Sequence, residues 1–544
     1  MATQTTALEK VKLDAKSITL PDSVEDSLQK LNIKRAASVA VNFLDVSSTA
    51  TGRATHYNSK TEQEAAMNLV HKTLFNLDRG LYSILACLDG VLDISKQITS
   101  FNLMSNPRNT DLTMTTDVQE AKILAYLMEN MPPQRMLKFY KKVSEERVNN
   151  ARTRKLILRT LLYQDFNKLD RWSVTYRNKL RIALTHALGK RMASIVCSII
   201  PKRTKNRKEK SILQKNVVRF IEEKETTASN TKKKLEAIAF ILGEESMTFS
   251  LPQIKAFIEV KKGKWNSGKL LSEEVLEGLR ATYHTTRTHA EVLEMTKQNL
   301  TEGKKIAIQR VAEKNNVTIK FDPKKQEPVK LYVYAFQRGM TKAIEKALKE
   351  KAEKIANSFP VALGNIGVIV DNSASMYGHG SQKNRPMAIA LSVRDVLVAG
   401  ASDSSVVFTD TPNRKTTKVM KKASGDTSLA RPLIKLLKEE KDAIFVLSDG
   451  YENAPAGRFS EVLKVARDIG IDTPVFQITP VASAENIGVK DLAPGLAHTL
   501  PVASGNAITS SMLKVVLQYN PEEGLRALIG SGLKSLGYTS ESQE

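Results

Sequence analysis

The chain reads Ile366-Gly-Val-Ile-Val370 and then Asp371-Asn-Ser-Ala-Ser-Met376, an apolar run that stops abruptly at a polar segment. A run of five residues rich in β-branched side chains is too short for a lone helix and is typical of a buried strand. The same pattern returns where Ala443-Ile-Phe-Val-Leu447 meets Ser448-Asp449-Gly450. Both aspartates are therefore predicted to lie where a strand ends.

Helix-like and strand-like segments alternate through the carboxyl-terminal third of the chain. The pattern predicts helices at 387–398, 429–437 and 459–469 and strands at 404–409 and 474–479. Such alternation is typical of a doubly wound, mostly parallel α/β sheet with helices on both faces. Ligands bind these sheets at the carboxyl ends of the strands, so we expect Asp371 and Asp449 to share one edge.

Five oxygen-bearing side chains are predicted to meet at that edge as a metal site: Asp371, Ser373, Ser375, Thr427 and Asp449. The Asp-x-Ser-x-Ser spacing allows one tight loop to direct alternate side chains at a single point. Mg²⁺ prefers about six oxygen ligands and few protein carboxylates, so this set suits Mg²⁺ better than zinc, with Mn²⁺ as the alternative. The competing interpretation is that the aspartates only cap helices or turns.

Residues 364 to about 535 resemble a von Willebrand factor A domain, because the five residues match the metal-ion-dependent adhesion site of that family in identity and order. The resemblance implies direct ligation by the two serines and state-dependent ligation by the threonine. It implies direct or water-mediated contact from the two aspartates. It also implies a coordination position that stays open for an acidic oxygen of a protein partner.

The formal net charge of +24 is unevenly distributed along the 544 residues. Residues 361–544 contain 19 basic and 19 acidic residues, so the excess lies entirely in residues 1–360. Residues 131–220 alone contain 24 basic and 5 acidic residues. A segment this basic favours nucleic acid as the partner over an ordinary solvated surface.

Aromatic residues interleave with these cations, and nucleic-acid bases can stack on exposed rings. The rings are Phe139, Tyr140, Tyr163, Trp172 and Tyr176. The cations predicted to contact nucleic acid are Arg135, Lys138, Lys141, Lys142, Arg152, Arg154, Lys155, Arg159, Arg171, Arg177, Lys179, Arg181, Lys202, Arg203, Lys205, Arg207 and Lys208. The alternatives are solvated helix faces with core rings, and a nuclear localisation signal at 202–210.

The amino-terminal two thirds shows apolar residues at helical spacing and little strand-like alternation. Predicted helices lie at 62–88, 117–131, 135–148, 155–162, 176–200, 212–222, 232–242, 290–300 and 306–313. Successive helices with short turns favour a HEAT-like helical-repeat superhelix, although no fixed-period motif is visible. The predicted domains are a flexible segment at 1–20, the helical repeats at 21–358 and the A-like domain at 359–544, with Phe359-Pro360 at the boundary.

A strongly basic helical region followed by an A domain resembles the Ro autoantigen family, which carries a TROVE module. The resemblance rests on order, length and charge. It implies a ring of helical repeats closed by the A domain, with misfolded noncoding RNA in a positively lined hole and small Y RNAs on the outer surface. It therefore implies a ribonucleoprotein that holds RNA without catalysis.

Other features of the composition exclude several protein classes. No run of about 18 apolar residues appears, and the chain starts without an apolar signal region, so a soluble cytoplasmic protein is expected. Only Cys87 and Cys197 occur, which excludes a cysteine zinc cluster and a disulfide framework and predicts free thiols.

Two other functions compete with RNA binding. One is a protein-interaction adaptor whose metal grips an acidic residue of a partner. The other is a metal-dependent nuclease or phosphatase, which usually needs more carboxylates than Asp371 and Asp449 provide.

Overall fold

The computed structural model describes residues 20–50, 59–107, 114–200, 207–357, 363–378, 380–415, 418–480, 490–505 and 507–538. The predicted flexible segment lies outside these residues except for Leu20, and so does the predicted boundary at Phe359-Pro360. Lys202, Arg203 and Lys205 of the predicted nucleic-acid surface also lie outside them.

Helices form the described part of the chain before the sheet. They are α1 (Asp22–Gln29), α2 (Ile33–Thr49), α3 (Lys60–Leu77), α4 (Arg79–Leu85), α5 (Asp93–Ser105), α6 (Asp117–Glu129), α7 (Pro133–Glu145), α8 (Ala151–Leu162), α9 (Phe166–Thr175), α10 (Arg177–Leu188), α11 (Lys190–Ile199), α12 (Arg207–Leu213), α13 (Arg219–Glu222), α14 (Ala228–Leu242), α15 (Pro252–Lys261), α16 (Glu273–Tyr283), α17 (His289–Thr296), α18 (Glu302–Ala307), α19 (Gln309–Lys314), α20 (Pro328–Arg338) and α21 (Lys342–Ala356). A π-helical turn at Gln214–Val218 joins α12 to α13.

Two segments predicted as single long helices are each broken into two. The predicted helix 62–88 divides at Asp78, whose side chain accepts a hydrogen bond from Leu81 N at 2.6 Å and so caps the start of α4. The predicted helix 176–200 divides at Gly189, which has a φ of 81°. An N-cap aspartate and a glycine in a positive-φ conformation both end one helix and allow the next to start in a new direction.

The carboxyl-terminal part forms five parallel strands and the helices that connect or follow them. The strands are β1 (Leu363–Val370), β2 (Ala401–Phe408), β3 (Ala443–Leu447), β4 (Val475–Pro480) and β5 (His498–Val502), in the order β2-β1-β3-β4-β5. The helices are α22 (Arg385–Gly400), α23 (Ala430–Leu437), α24 (Arg458–Asp468), α25 (Ala507–Tyr519) and α26 (Pro521–Ser535). The prediction of a helical region joined to a parallel α/β sheet is confirmed at this level.

The crossovers of the sheet run in two directions. The chain passes from β1 to β2 one way along the sheet and returns past β1 to reach β3. Because parallel crossovers are right-handed, α22 is placed on one face and α23 and α24 on the other. Ile369, Ile444 and Val446 accordingly pack with buried residues of α23 and α24. On the opposite face the rings of Phe445 and Phe476 stack with centroids 5.2 Å apart.

Strand β5 is absent from the predicted elements. Its sequence begins with His498 and Thr499 and contains Pro501, so it lacks the continuous apolar run that marks the inner strands. Within the described residues it pairs only with β4 and forms an edge of the sheet. Proline is tolerated at an edge because one side of the strand needs no ladder hydrogen bond.

Contacts divide the chain into two compact units. Unit 1 comprises Met1–Thr99, Arg108–Ile123 and Pro323–Glu544, and unit 2 comprises Ser100–Pro107 and Leu124–Asp322. Within unit 1, α2 packs on α25 and α26, and Lys514 Nζ lies 2.5 Å from Asp45 Oδ1. The predicted domain boundary near residue 358 stays a prediction, because domains defined along the sequence need not coincide with compact units defined by contacts.

Two predictions from the composition concern the cysteines and membrane-spanning helices. Cys87 is buried and Cys197 is partly buried, and neither is in a disulfide, as predicted. Burial raises the pKa of the Cys87 thiol to about 12, which keeps it protonated and unreactive at neutral pH. Across the described residues, the helices include none with the length and hydrophobicity needed to span a bilayer.

Substitution of Gly532 tests how α26 packs on α4. A methyl group at this position would lie 2.6 Å from Ile84 Cγ2 and 2.7 Å from the Ile84 carbonyl oxygen. Because a backbone atom cannot move aside cheaply, we expect Gly532→Ala to lower the free energy of unfolding by about 1–3 kcal/mol. The matched control is Gly278→Ala in α16, where a methyl group meets nothing within 4 Å. The free energy of unfolding of this variant should rise by up to about 1 kcal/mol. An equal rise in the free energy of unfolding of both variants, measured with urea, would contradict this packing.

Candidate functional site

The carboxyl ends of β1 and β3 lie side by side where the strand order reverses. Val370 is in register with Leu447, so Asp371 and Asp449 leave neighbouring strands at the same edge. Asp371 N donates to the Leu447 carbonyl oxygen at 3.0 Å and extends the pairing one residue beyond β1. This is the position in an open parallel sheet where ligands collect.

The loop after β1 brings its two serine hydroxyls together. Ser373 N donates to Asp371 Oδ1 at 2.9 Å, which tightens the loop into a turn. The Oγ atoms of Ser373 and Ser375 lie 3.1 Å apart. Ser373 is buried and Ser375 is exposed, so the hydroxyl pair extends from the sheet edge towards solvent.

A second loop carries Thr427 to the same edge. Ala374 N donates to the Gly425 carbonyl oxygen at 2.9 Å, which joins this loop to the one after β1. Thr427 N donates to Asn453 Oδ1 at 2.8 Å, and the Thr427 carbonyl oxygen accepts from Asn453 N and Ala454 N. Thr427 is therefore held between the loop after β1 and the segment after β3.

The Asp371 carboxylate is fully buried. Its pKa is raised to about 6, chiefly by burial and to a small extent by the negative charge of Asp449, while hydrogen bonds from Ser448 and Ser373 act to lower it. Ser448 Oγ donates to Asp371 Oδ2 at 2.7 Å. A cation at this edge would offset the cost of keeping a buried carboxylate ionised.

The donor chemistry at this edge fits a hard divalent cation. Two carboxylates and three hydroxyls offer only oxygen, which Mg²⁺ and Mn²⁺ prefer. Within the described ranges, no group of three or more His, Cys, Asp and Glu side chains is placed to hold a metal. The protein ligands here would therefore be mostly hydroxyls, and metal binding stays a prediction.

Most of the cations predicted to contact nucleic acid belong to unit 2 and are accessible. The exposed ones are Arg135, Lys138, Lys141, Lys142, Arg154, Lys155, Lys179, Arg181, Arg207 and Lys208. The half-buried ones are Arg152, Arg159, Arg171 and Arg177. They lie along α7, α8, α9, α10 and α12, and which of them contact a ligand stays a prediction.

The interleaved aromatic rings are mostly not available to bases. Phe139, Tyr140 and Trp172 are buried, so the base-stacking interpretation is wrong for these three. The ring of Tyr163 stacks on Phe220 with centroids 5.2 Å apart. Alternation of rings and cations along a helical sequence places them on different faces, and the rings face the core.

Some of the predicted cations have structural partners. The Arg177 guanidinium carbon lies 3.9 Å from the centroid of the Phe240 ring, and its Nε donates to the Phe240 carbonyl oxygen at 2.8 Å. It also pairs with Glu245. Arg181 Nε donates to the Ile241 carbonyl oxygen at 3.1 Å. Through these hydrogen bonds the two arginines link α10 to the carboxyl end of α14.

Several accessible cations of unit 2 are missing from the predicted set. Lys190 and Arg191 are exposed at the start of α11, and Lys215 and Arg219 are exposed on the continuous α12–π–α13 helix. Lys215 and Arg219 lie four residues apart in a predicted helix, and that spacing was a signal that they share a face. Asn453 accepts the hydrogen bond from Thr427 N, and no pattern in the sequence indicated this role.

No protein-family model matches the chain, and no curated protein matches it. The solved structure of the Ro (RSR) protein of Deinococcus radiodurans is similar to this chain at 12% sequence identity, with a TM-score of 0.32. The similarity covers 80% of this chain and 91% of that chain. A TM-score below 0.5 does not establish a shared fold, so membership of the Ro family stays a proposal.

Substitution of Arg177 separates structural cations from surface cations. Arg177→Ala removes a charged hydrogen bond and the contact with Phe240, so the free energy of unfolding should fall by about 1–3 kcal/mol. Lys179→Ala, two residues away and exposed, should change it by less than about 0.5 kcal/mol. Guanidinium unfolding curves measure both values. Equal midpoints for the two variants would contradict the structural role of Arg177.

Proposed function

We propose that this is an RNA-binding protein of Ro type. HEAT-like helical repeats hold small or misfolded noncoding RNA, and a von Willebrand A-like domain holds Mg²⁺ or Mn²⁺ at its sheet edge. The observation that carries the proposal is the set of exposed lysines and arginines on the helices of unit 2, within a segment of 24 basic and 5 acidic residues.

The RNA is held chiefly through its phosphates. Phe139, Tyr140 and Trp172 are buried, whereas Lys138 on α7 and Lys155 on the following helix α8 are exposed. Lysine and arginine bind phosphate without reading base identity. The protein therefore recognises RNA by charge and shape more than by sequence, which suits a protein that collects misfolded transcripts.

The metal in this proposal is bound by Asp371, Ser373, Ser375, Thr427 and Asp449. Its chemistry would be electrostatic, since a bound Mg²⁺ or Mn²⁺ attracts an acidic or phosphate oxygen into an open coordination position. The protein side chains supply the oxygen cage. Two carboxylates are fewer than metal-dependent nucleases usually use, and the proposed protein is not an enzyme.

The second candidate function is an adaptor that grips an acidic residue of a protein partner through the metal. The exposure of Ser375 at the edge, next to the exposed ring of Tyr377, favours it. A partner reaching this edge from solvent would meet both side chains first. This function and RNA binding use different units and can coexist.

Removal of exposed lysines tests RNA binding directly. The variant Lys138→Ala/Lys155→Ala/Lys179→Ala should bind RNA more weakly and with a shallower salt dependence. Each lost phosphate contact reduces the log–log salt slope by about 0.7 on single strands and about 0.9 on duplex DNA. Filter binding with structured and single-stranded RNA over a series of KCl concentrations measures both quantities.

The control removes the same number of charges from a helix of unit 1 in which lysines lie next to glutamates. Lys342, Lys346 and Lys349 are exposed on α21, where Lys346 and Lys349 lie within 4.0 Å of Glu350 and Glu353. Their replacement by alanine should leave affinity and slope close to wild type. Equal losses in the two triple variants, or a flat salt response of the wild type, would contradict the proposal.

Metal binding is tested by thermal unfolding with and without saturating MgCl₂ or MnCl₂. A ligand at about 100 times its Kd stabilises the folded state by about 2.7 kcal/mol, so the wild-type Tm should rise by several degrees. Ser375→Ala and Asp449→Asn should abolish the rise. Ser424→Ala, at an exposed position in the neighbouring loop, should keep it. No rise in the wild type with either metal would overturn the proposed site.

A further inference from the structure

Arg394 is a buried arginine on α22 that binds the loop leading to the candidate metal site. Its side chain is only 7% exposed. Its Nη1 donates to the Lys418 carbonyl oxygen at 3.2 Å and its Nη2 donates to the Val419 carbonyl oxygen at 2.8 Å. A planar guanidinium that bonds two successive carbonyls fixes the direction of that backbone.

The guanidinium is itself oriented from two sides. Its Nε donates to Asp395 Oδ1 at 3.0 Å. Its Nη2 also donates to the hydroxyl oxygen of Tyr332, a buried residue of α20, at 3.1 Å, and that hydroxyl bonds Asp395. Burial by itself would lower the pKa of Arg394, but Asp395 and Tyr332 outweigh it, so the group stays charged.

The segment from Val419 to Thr427 is held at intervals along its length. Lys421 Nζ lies 2.6 Å from Asp410 Oδ1, beyond the end of β2. Ser424 N donates to the Asn372 carbonyl oxygen at 2.7 Å, in the loop after β1. Further along, the Gly425 carbonyl oxygen accepts from Ala374 N, and Thr427 N donates to Asn453 Oδ1. Arg394 holds the start of this segment, and the candidate metal ligand Thr427 lies at its end.

We propose that Arg394 is a positioning residue for the metal site, acting through the backbone of residues 418–427, and that Tyr332 holds Arg394 in place. The proposal rests on the metal site proposed above. Arg394 makes no contact with the five candidate ligands among its described hydrogen bonds, so its effect must pass through the segment. Partners that hydrogen-bond a metal ligand directly typically change metal affinity by about 10–100-fold when mutated, and Arg394 acts at one remove, so the lower end of that range is expected.

A matched control distinguishes positioning from general stabilisation. Lys441, which precedes β3, is another buried cation, 6% exposed, and it donates to Asn365 Oδ1 at 2.8 Å and lies 3.4 Å from Glu439. Asn365 is near the start of β1, at the end of the sheet away from the candidate ligands. Lys441→Met should therefore reduce stability without disturbing residues 418–427.

The experiment compares full-length wild type with Arg394→Met, Arg394→Lys, Tyr332→Phe and Lys441→Met. Calorimetric titration measures the Mg²⁺ affinity, and hydrogen exchange without metal measures protection of the Ser424 and Thr427 amides. Arg394→Met should lose about tenfold in Mg²⁺ affinity and should exchange faster at these two amides. Arg394→Lys should recover part of both, because an ammonium can bond one of the two carbonyls. Tyr332→Phe should show a smaller loss, and Lys441→Met should match wild type in both.

Unchanged Mg²⁺ affinity and unchanged exchange in Arg394→Met would overturn the inference. Equal losses in Arg394→Met and Lys441→Met would overturn it as well, because the effect would then be general. If Arg394→Met does not fold, Arg394→Lys and Tyr332→Phe carry the test. Failure of the proposed metal site is recognised separately, because the wild type itself would then bind no Mg²⁺, while the exchange at Ser424 and Thr427 still shows whether Arg394 orders the segment.

Discussion

The carboxyl-terminal part of the molecule depends on one costly arrangement, a carboxylate buried at the point where the strand order reverses. Asp371 is buried directly after β1. The chain runs from β1 to β2 on one side and then returns to β3 on the other side of β1. A charge in this position is tolerated only with donors around it. Ser448 and the backbone of Ser373 supply them, and in doing so they fix the loops that follow β3 and β1. The hydroxyl pair, the Thr427 loop and the proposed cation are arranged around this carboxylate.

A second constraint is the separation of charge along the chain. Residues 361–544 are electrically balanced, with 19 basic and 19 acidic residues, whereas residues 131–220 carry a large positive excess. In unit 2 that excess is arranged by helix geometry, since apolar and aromatic side chains face the core and most lysines face solvent. Some arginines are used differently, because a guanidinium can bond carbonyl oxygens while its stem packs on a ring, as Arg177 does on Phe240. Net charge alone therefore overstates the number of cations available for the proposed RNA binding.

The sequence predicted the inner sheet well because continuous apolar runs have few alternatives. The run Ala443–Leu447 is strand β3 with the same bounds, and the predicted helix 459–469 is α24 within a residue at each end. Strand β5 was missed because an edge strand needs neither apolar continuity nor every backbone donor. The breaks at Asp78 and Gly189 were missed because helical periodicity continues across them. The spacing of Asp371, Ser373 and Ser375 could be interpreted locally, but Arg394 acts on carbonyl oxygens 24 and 25 residues away, which no pattern of side chains encodes.

The oxygens around Asp371 are proposed to form one cation site. The most direct measurement is anomalous diffraction from a crystal of the protein soaked in MnCl₂. We expect one strong anomalous peak at the carboxyl edge of the sheet, within coordination distance of the Ser373 and Ser375 hydroxyls and close to Asp371, Thr427 and Asp449. A well-ordered edge with no peak, or manganese bound only elsewhere, would contradict it.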